Sequence, residues 1–129
     1  MVLHYLVKRI LWVDCVGAIA TGFLLLFFSW WIAPLYGLPQ WFVVGHAFVH
    51  LAYGSYSFSL AVRKTRPMPL IETLAIANGV WGSICLILAL YFVSNATAFA
   101  VVHFLLEGIY VGSLGFIEWN RRESLAKGL

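Results

Sequence analysis

Charged residues are scarce in this sequence. Asp, Glu, Lys and Arg together make up 10% of its 129 residues, whereas a typical soluble domain has about 25%. Hydrophobic residues make up 63%. So few polar side chains cannot cover a water-facing surface, and the composition therefore excludes an ordinary soluble domain.

Sequence motifs for catalysis are also absent. The chain has no Gly-rich phosphate loop, no CxxC pair, no nucleophile elbow and no spacing typical of a Ser-His-Asp triad. Its two cysteines, Cys15 and Cys85, are predicted to lie at different depths of a membrane, too far apart for a disulfide. The sequence therefore disfavours an enzyme that acts on its own.

The apolar residues fall into four blocks of about 20 residues each, which is enough to cross the hydrocarbon core of a bilayer. The blocks predict helices over residues 8–32, 40–62, 70–93 and 97–120. The first block is longer than the apolar core of a signal peptide, so we expect it to be a helix of the mature protein. Short connections make successive helices antiparallel. The prediction is an all-α fold, a single transmembrane domain over residues 1–129 that forms an up-down-up-down four-helix bundle.

Basic residues occur at only three places: before the first predicted helix, between the second and third, and after the fourth. They are Lys8, Arg9, Arg63, Lys64, Arg66, Arg121, Arg122 and Lys127. An excess of Lys and Arg in short connections marks the cytoplasmic side. We therefore expect both termini on the cytoplasmic side of a bacterial inner membrane. The first seven of these residues are expected to contact lipid headgroups, and the net charge of +3 needs no nucleic-acid partner.

Three acidic residues, Asp14, Glu72 and Glu118, lie within one or two helical turns of the basic clusters. We expect them to form anchoring ion pairs with Lys8, Arg9, Arg63 or Arg121. Glu107 differs, because it is the only acid placed deep in a predicted span, where an unpaired carboxylate is costly.

Each predicted helix carries one polar or small face, and its polar residues recur at intervals of three and four. Polar side chains in hydrocarbon turn toward the interior of a bundle. We therefore expect a polar core that comprises Asp14, Tyr53, Asn78 and Tyr110.

Four polar residues of the second and fourth helices form the candidate site. His46 and His50 are one turn apart, as are His103 and Glu107, and counting from the basic anchors places the two pairs at the same depth. Imidazole and carboxylate together suit a transition metal, and two imidazoles can also ligate a haem. Hydrogen bonding between helices and a proton or small-ligand pathway are alternatives that the sequence leaves open.

Small residues form a second stripe on the fourth helix, at Gly108, Gly112 and Gly115. Such a stripe allows close helix packing, either within the bundle or against a second copy of the chain. A homo-oligomer formed through these glycines is therefore one expected assembly.

Three segments resemble those of an uncharacterised group of small bacterial four-span integral membrane proteins. They are Pro34-Leu35-Tyr36-Gly37-Leu38-Pro39, Ala77-Asn78-Gly79-Val80-Trp81 and Glu118-Trp119-Asn120-Arg121-Arg122, together with the early Asp14. The resemblance covers about residues 9–122 and implies the four-span fold and the inner-membrane location, but no function. The three candidate histidines are not part of that pattern.

Three functions are compatible with these features. The first is a protein that holds a transition metal or haem through His46, His50, His103 and Glu107. The second is a non-catalytic accessory or assembly subunit, which packs against a larger membrane complex or itself. The third is a proton-linked carrier of small molecules centred on Glu107.

Overall fold

The computed structural model describes residues 9–127 of the chain, and all regular secondary structure in this range is helical. The helices are α1 (Ile10–Phe27), α2 (Ser29–Tyr36), α3 (Gln40–Ala61), α4 (Met68–Phe92), α5 (Ala98–Asn120) and α6 (Arg122–Lys127). Lys8, one of the predicted headgroup contacts, lies outside the described residues.

Three helices in the described range are long and apolar enough to cross a membrane: α1, α4 and α5. Helix α3 has 22 residues, a sufficient length, but it is more polar because it contains two of the three candidate histidines and several serines. All four of these helices therefore have the length of a span, and three also have its composition.

The first predicted helix, 8–32, is wrong in one respect, because the structure divides it at Phe28 into α1 and α2. Helix α2 also continues through Pro34, so the connection between the first two predicted helices, residues 33–39, shrinks to three residues. Proline lacks an N–H and weakens the helix around it. The turn itself depends on Gly37, whose φ of 69° is a conformation that glycine adopts without strain.

Helices α1 and α3 form one antiparallel pair. Gly22 of α1 approaches Ala47 and Leu51 of α3, whereas Ile19 approaches Gly54, which is further along α3. This register shows that the two helices run in opposite directions. The small residues allow the helix backbones to come close together.

Helices α4 and α5 form the second antiparallel pair, through the glycine stripe. A Cβ atom at Gly82 would lie 2.8 Å from the backbone nitrogen of Gly112, and one at Gly115 would lie 2.8 Å from the carbonyl oxygen of Ala75. Gly108 also faces α4, near the Gly82 carbonyl. The stripe thus serves packing within one chain, and its use by a second copy stays a prediction.

The basic residues between Arg9 and Arg122 gather at one end of the molecule. Ile10, Leu60, Ile71 and Leu125 share a buried cluster there, which brings the start of α1, the connection from α3 to α4 and the end of α5 together. At the opposite end, the backbone N–H of Thr97 donates to the Tyr36 carbonyl at 3.0 Å. The two connections that carry no Lys or Arg therefore touch each other.

Arg66 is part of this basic end rather than a free surface charge. Its guanidinium donates to the carbonyl oxygens of Leu60 at 2.6 Å, Ala61 at 3.2 Å and Leu125 at 2.8 Å. These contacts satisfy the last carbonyls of α3. Burial lowers the pKa of Arg66 from its ordinary value. Its contribution is therefore to fix α6 against α3.

The close packing of α4 on α5 predicts unequal effects for two glycines of α4. Gly82→Ala should lower the free energy of unfolding by about 1–3 kcal/mol, because its Cβ meets the backbone of Gly112 and the helices must separate. Gly79→Ala is the matched control, since a Cβ there has nothing within 4 Å; it should be neutral or stabilise by up to about 1 kcal/mol. Unfolding of both variants in detergent measures the difference, and equal losses would contradict the described packing.

Candidate functional site

The side chain of Glu107 is the centre of the candidate site. Its Oε1 atom lies 2.9 Å from Nε2 of His46, 2.8 Å from Nε2 of His50 and 2.8 Å from Nε2 of His103. Glu107, His46 and His50 are buried, and His103 is partly buried. All four residues of the candidate site thus meet at one carboxylate.

The second carboxylate oxygen, Oε2, faces α4. Trp81 donates its indole N–H to this atom at 2.7 Å, and the Cys85 thiol donates at 3.1 Å. His46 also reaches it at 3.0 Å. Sequence reasoning did not assign Trp81 or Cys85 to the site. Cys85 was detectable in principle, because it lies seven residues after Asn78 on the polar face of α4.

The positions of the protons in this hydrogen-bond network follow from the chemistry of the groups. An ionised carboxylate only accepts hydrogen bonds, so each imidazole must carry a proton on Nε2 to bond Glu107. For neutral His103 this leaves Nδ1 as an acceptor, and the Tyr36 hydroxyl lies 2.8 Å from that atom. Tyr36 therefore donates to His103 and fixes the orientation of its ring.

Helix geometry explains why these residues meet. His46 and His50 are four residues apart on α3, so they project from one face with ring centroids 5.1 Å apart. His103 and Glu107 have the same relation on α5. Trp81 and Cys85 supply the third wall from α4. Each helix contributes residues separated by one turn, at a common level.

The geometry is compatible with a metal ion after a small adjustment. One ligand atom each from His46, His50 and Glu107 lie within 4.8 Å of one another. Ligands about 2.1 Å from a tetrahedral zinc are about 3.4 Å apart, whereas the Nε2–Oε1 separations here are 2.8–2.9 Å. The side chains would have to spread by about half an ångström as the metal replaces the shared protons.

A second buried polar cluster lies nearer the basic end. The Asn78 amide nitrogen donates to Oδ2 of Asp14 at 2.8 Å and to Oε1 of Glu118 at 2.7 Å. Asp14 is 3% exposed and Glu118 is fully buried. We call Asp14 and Glu118 the inner carboxyl pair. The Asn78 amide bridges them.

This cluster corrects the expectation that Asp14 and Glu118 form anchoring ion pairs with Arg63 or Arg121, whereas the expected partner Lys8 lies outside the described residues. Within residues 9–127, neither carboxyl group lies in a salt bridge with Lys or Arg. Helix α1 approaches α5 with its Asp14 turned inward, so burial on a shared amide replaces contact with the basic end. Glu72 does form an ion pair, but with Arg122, at 3.6 Å.

The two tyrosines expected in the polar core have different positions. Tyr53 is partly buried and donates its hydroxyl to the Ala77 carbonyl at 2.9 Å. Tyr110 is 43% exposed and donates to the Val13 carbonyl at 3.1 Å. Tyr53 thus links α3 to α4 from inside, whereas Tyr110 spans the gap between α5 and α1 at the surface.

A cavity of about 470 Å³ connects the two polar clusters. Glu107, His50 and His103 line it at one end, and Asp14 and Asn78 line it at the other. Its remaining walls include Ala18, Leu106, Val111 and Leu114. The interior is therefore not solidly packed between the helix pairs.

Comparison with known proteins supplies no family for this chain: no protein-family model matches it, and neither a curated protein nor a solved structure shows significant similarity. The resemblance drawn from the three sequence segments therefore stays a prediction. What can be said about function depends on the geometry.

Removal of the central carboxylate should destabilise the protein strongly. In Glu107→Ala, three imidazoles, an indole and a thiol lose their common acceptor in a buried place, and we expect a loss of about 3–5 kcal/mol. Glu72→Ala is the control, because its ion pair is about one-third exposed and should contribute less than about 1 kcal/mol. Chemical unfolding in micelles compares the two; a Glu107 loss no larger than that of Glu72 would contradict the network.

The inner carboxyl pair predicts that a negative charge on Glu118 is not required for the stability of the protein. Glu118→Gln keeps an acceptor for Asn78, so the free energy of unfolding should change by less than about 0.5 kcal/mol or rise. Asn78→Leu should lower it by about 1–3 kcal/mol, because two buried carboxyl groups lose their donor. A large loss in Glu118→Gln, measured in the same unfolding assay, would instead indicate an ion pair.

Proposed function

We propose that this protein is a multi-pass integral membrane protein of the bacterial inner membrane that holds a transition-metal ion at Glu107. In this proposal α1, α3, α4 and α5 form an up-down-up-down transmembrane bundle with both termini on the cytoplasmic side. Supporting it are three apolar helices of spanning length and basic residues gathered at one end, which is the cytoplasmic end by the positive-inside rule.

The observation that carries the metal proposal is the convergence of three imidazole Nε2 atoms on one buried carboxylate. Histidine and carboxylate together bind zinc, copper, iron, nickel and manganese in proteins. Buried polar groups are rare within membrane spans and tend to be functional. The group that could hold an ion, His46, His50 and Glu107, is assembled from α3 and α5, so a metal bound there would join the two helix pairs.

A single ion fits this arrangement better than a haem. His46 and His50 both direct Nε2 at the same oxygen atom, at 2.9 and 2.8 Å. Axial haem ligands must instead face an iron at the centre of a broad flat ring. The Glu107 carboxylate fills the space between the three imidazole Nε2 atoms, which lie 2.8–2.9 Å from its Oε1.

Tyr36 supports metal binding because its hydroxyl can serve both states of His103. Without a metal it donates to Nδ1 of the ring. When Nε2 binds a metal, the remaining proton moves to Nδ1, and the hydroxyl then accepts a hydrogen bond from it. Such outer partners hold the ligand ring in place and change metal affinity by about 10–100-fold.

Metal titration of the purified protein tests the proposal. Zn²⁺ or Co²⁺ should bind with a stoichiometry of one in calorimetry and elemental analysis, and His46→Asn should abolish this binding. Tyr36→Phe should weaken it by about 10–100-fold, whereas the exposed Tyr91→Phe should leave it unchanged. A folded protein that binds neither ion at stoichiometric levels would overturn the metal site and leave the histidines a structural network.

A second candidate function, an assembly subunit, is favoured by one observation on α5. A Cβ atom at Gly112 has nothing within 4 Å, and the shallow groove around it includes Ile109 and Phe116, both more than half exposed. A second copy of the chain could pack there. Gly112→Leu should then shift the oligomeric state in micelles, while leaving the metal stoichiometry unchanged.

A further inference from the structure

The cavity between the two helix pairs has its exposed lining residues on one helix, α5. Its exposed lining residues, Leu106 and Tyr110, both lie on α5 and face α1. On the other side, Tyr53 bonds the Ala77 carbonyl and Trp81 packs against the His46 ring with centroids 5.3 Å apart. The exposed part of the cavity lining thus lies on the α5 side, where Tyr110 reaches α1, and we call this part the mouth.

Tyr110 forms the edge of this mouth that is nearer the basic end. Its hydroxyl reaches the Val13 carbonyl across the gap, directly over Gly17, where a Cβ would lie 2.7 Å from the hydroxyl oxygen. Beyond this bridge, Thr21 of α1 and Leu106 of α5 line the cavity. In the proposed membrane placement the mouth opens at the level of the lipid tails, so a ligand would enter from the bilayer.

Several polar residues that line the cavity have acceptor atoms that the hydrogen bonds described above do not use. Asn78 directs both of its bonds from the amide nitrogen to carboxyl groups, which leaves its carbonyl oxygen available. His50 bonds Glu107 through Nε2, which leaves the lone pair of Nδ1. Asp14 offers a carboxylate oxygen, whereas the Trp81 N–H, the obvious donor of the wall, is engaged by Glu107.

The volume also limits the ligand. About 470 Å³ is roughly three times the 150 Å³ of a cavity that holds benzene, which accommodates one substituted ring with part of a chain. The apolar side chains of Ala18, Leu106, Val111 and Leu114 suit such a body. Pockets that combine apolar walls with a few polar groups are typical of small-molecule sites.

We propose that this cavity binds a lipid-soluble amphiphile whose head group donates hydrogen bonds, a phenol or hydroquinone, with its apolar tail leaving between α1 and α5. The head group lies between Asp14, Asn78 and His50, where acceptors are available. Of the four residues of the metal site, only His46 does not line the cavity, so the two proposals share His50, which would meet the head group through Nδ1 and the metal through Nε2.

A matched pair of probes tests the hydrogen-bonding part of the proposal. Decylhydroquinone, kept reduced under argon, should bind the purified protein saturably with a stoichiometry of one in equilibrium dialysis. Its dimethyl ether has the same ring and tail but no donor, and should bind at least about tenfold more weakly. Equal affinities for the two probes would overturn the assignment of a donating head group.

Two substitutions on α1 test the location. Ala18→Leu fills the cavity and should weaken decylhydroquinone binding by about tenfold or more. Ala20→Leu makes the same change at an exposed position outside the cavity and should have no effect. Equal binding by both folded variants would overturn the cavity as the site.

Two further variants separate this proposal from the metal site. Asp14→Asn keeps the size of the side chain. It should weaken the binding of decylhydroquinone by about tenfold and leave the metal stoichiometry unchanged. His46→Asn should do the reverse. If Asp14→Asn binds the hydroquinone as tightly as the unaltered protein does, the placement of its head group beside Asp14 is wrong.

Discussion

The buried carboxylate of Glu107 fixes how the helices are arranged in the half of the molecule away from the basic end. Both oxygens of Glu107 are surrounded by donors: three imidazoles, the Trp81 indole and the Cys85 thiol. An isolated carboxylate in such a place would be very costly. The orientation of α3, α4 and α5 about their own axes is therefore constrained, because a rotation of any one of them would remove donors from the acid.

The half of the molecule nearer the basic end also contains buried carboxyl groups, but their hydrogen-bond donor is an amide. Asp14 and Glu118 have no basic partner among residues 9–127 and instead share the amide of Asn78. The two hydrogens of this one amide nitrogen each satisfy one carboxyl group. The two clusters lie at opposite ends of one cavity, and this spacing keeps the helix pairs apart between them. A cavity with polar ends and apolar walls is the consequence.

Several features of the fold and the site were accessible from the sequence, for stated reasons. The apolar blocks predicted helices near 40–62, 70–93 and 97–120, and the structure has Gln40–Ala61, Met68–Phe92 and Ala98–Asn120. Spacings of four placed His46 beside His50 and His103 beside Glu107. The break at Phe28 was missed, because hydropathy is continuous through residues 10–32 and carries no information about a local change in backbone direction.

The sequence by itself determined where the long apolar helices lie, which face of each is polar and where the basic residues fall along the chain, because these properties follow from local composition and from the 3.6-residue period. Only the tertiary structure decided which polar faces meet. It directed Asp14 and Glu118 to Asn78 rather than to arginine, brought Trp81 and Cys85 to Glu107, and used Gly108 and Gly115 against α4. Such choices depend on helix rotation and on the distances between helices, which are set by packing across the whole chain and have no local signature in the sequence.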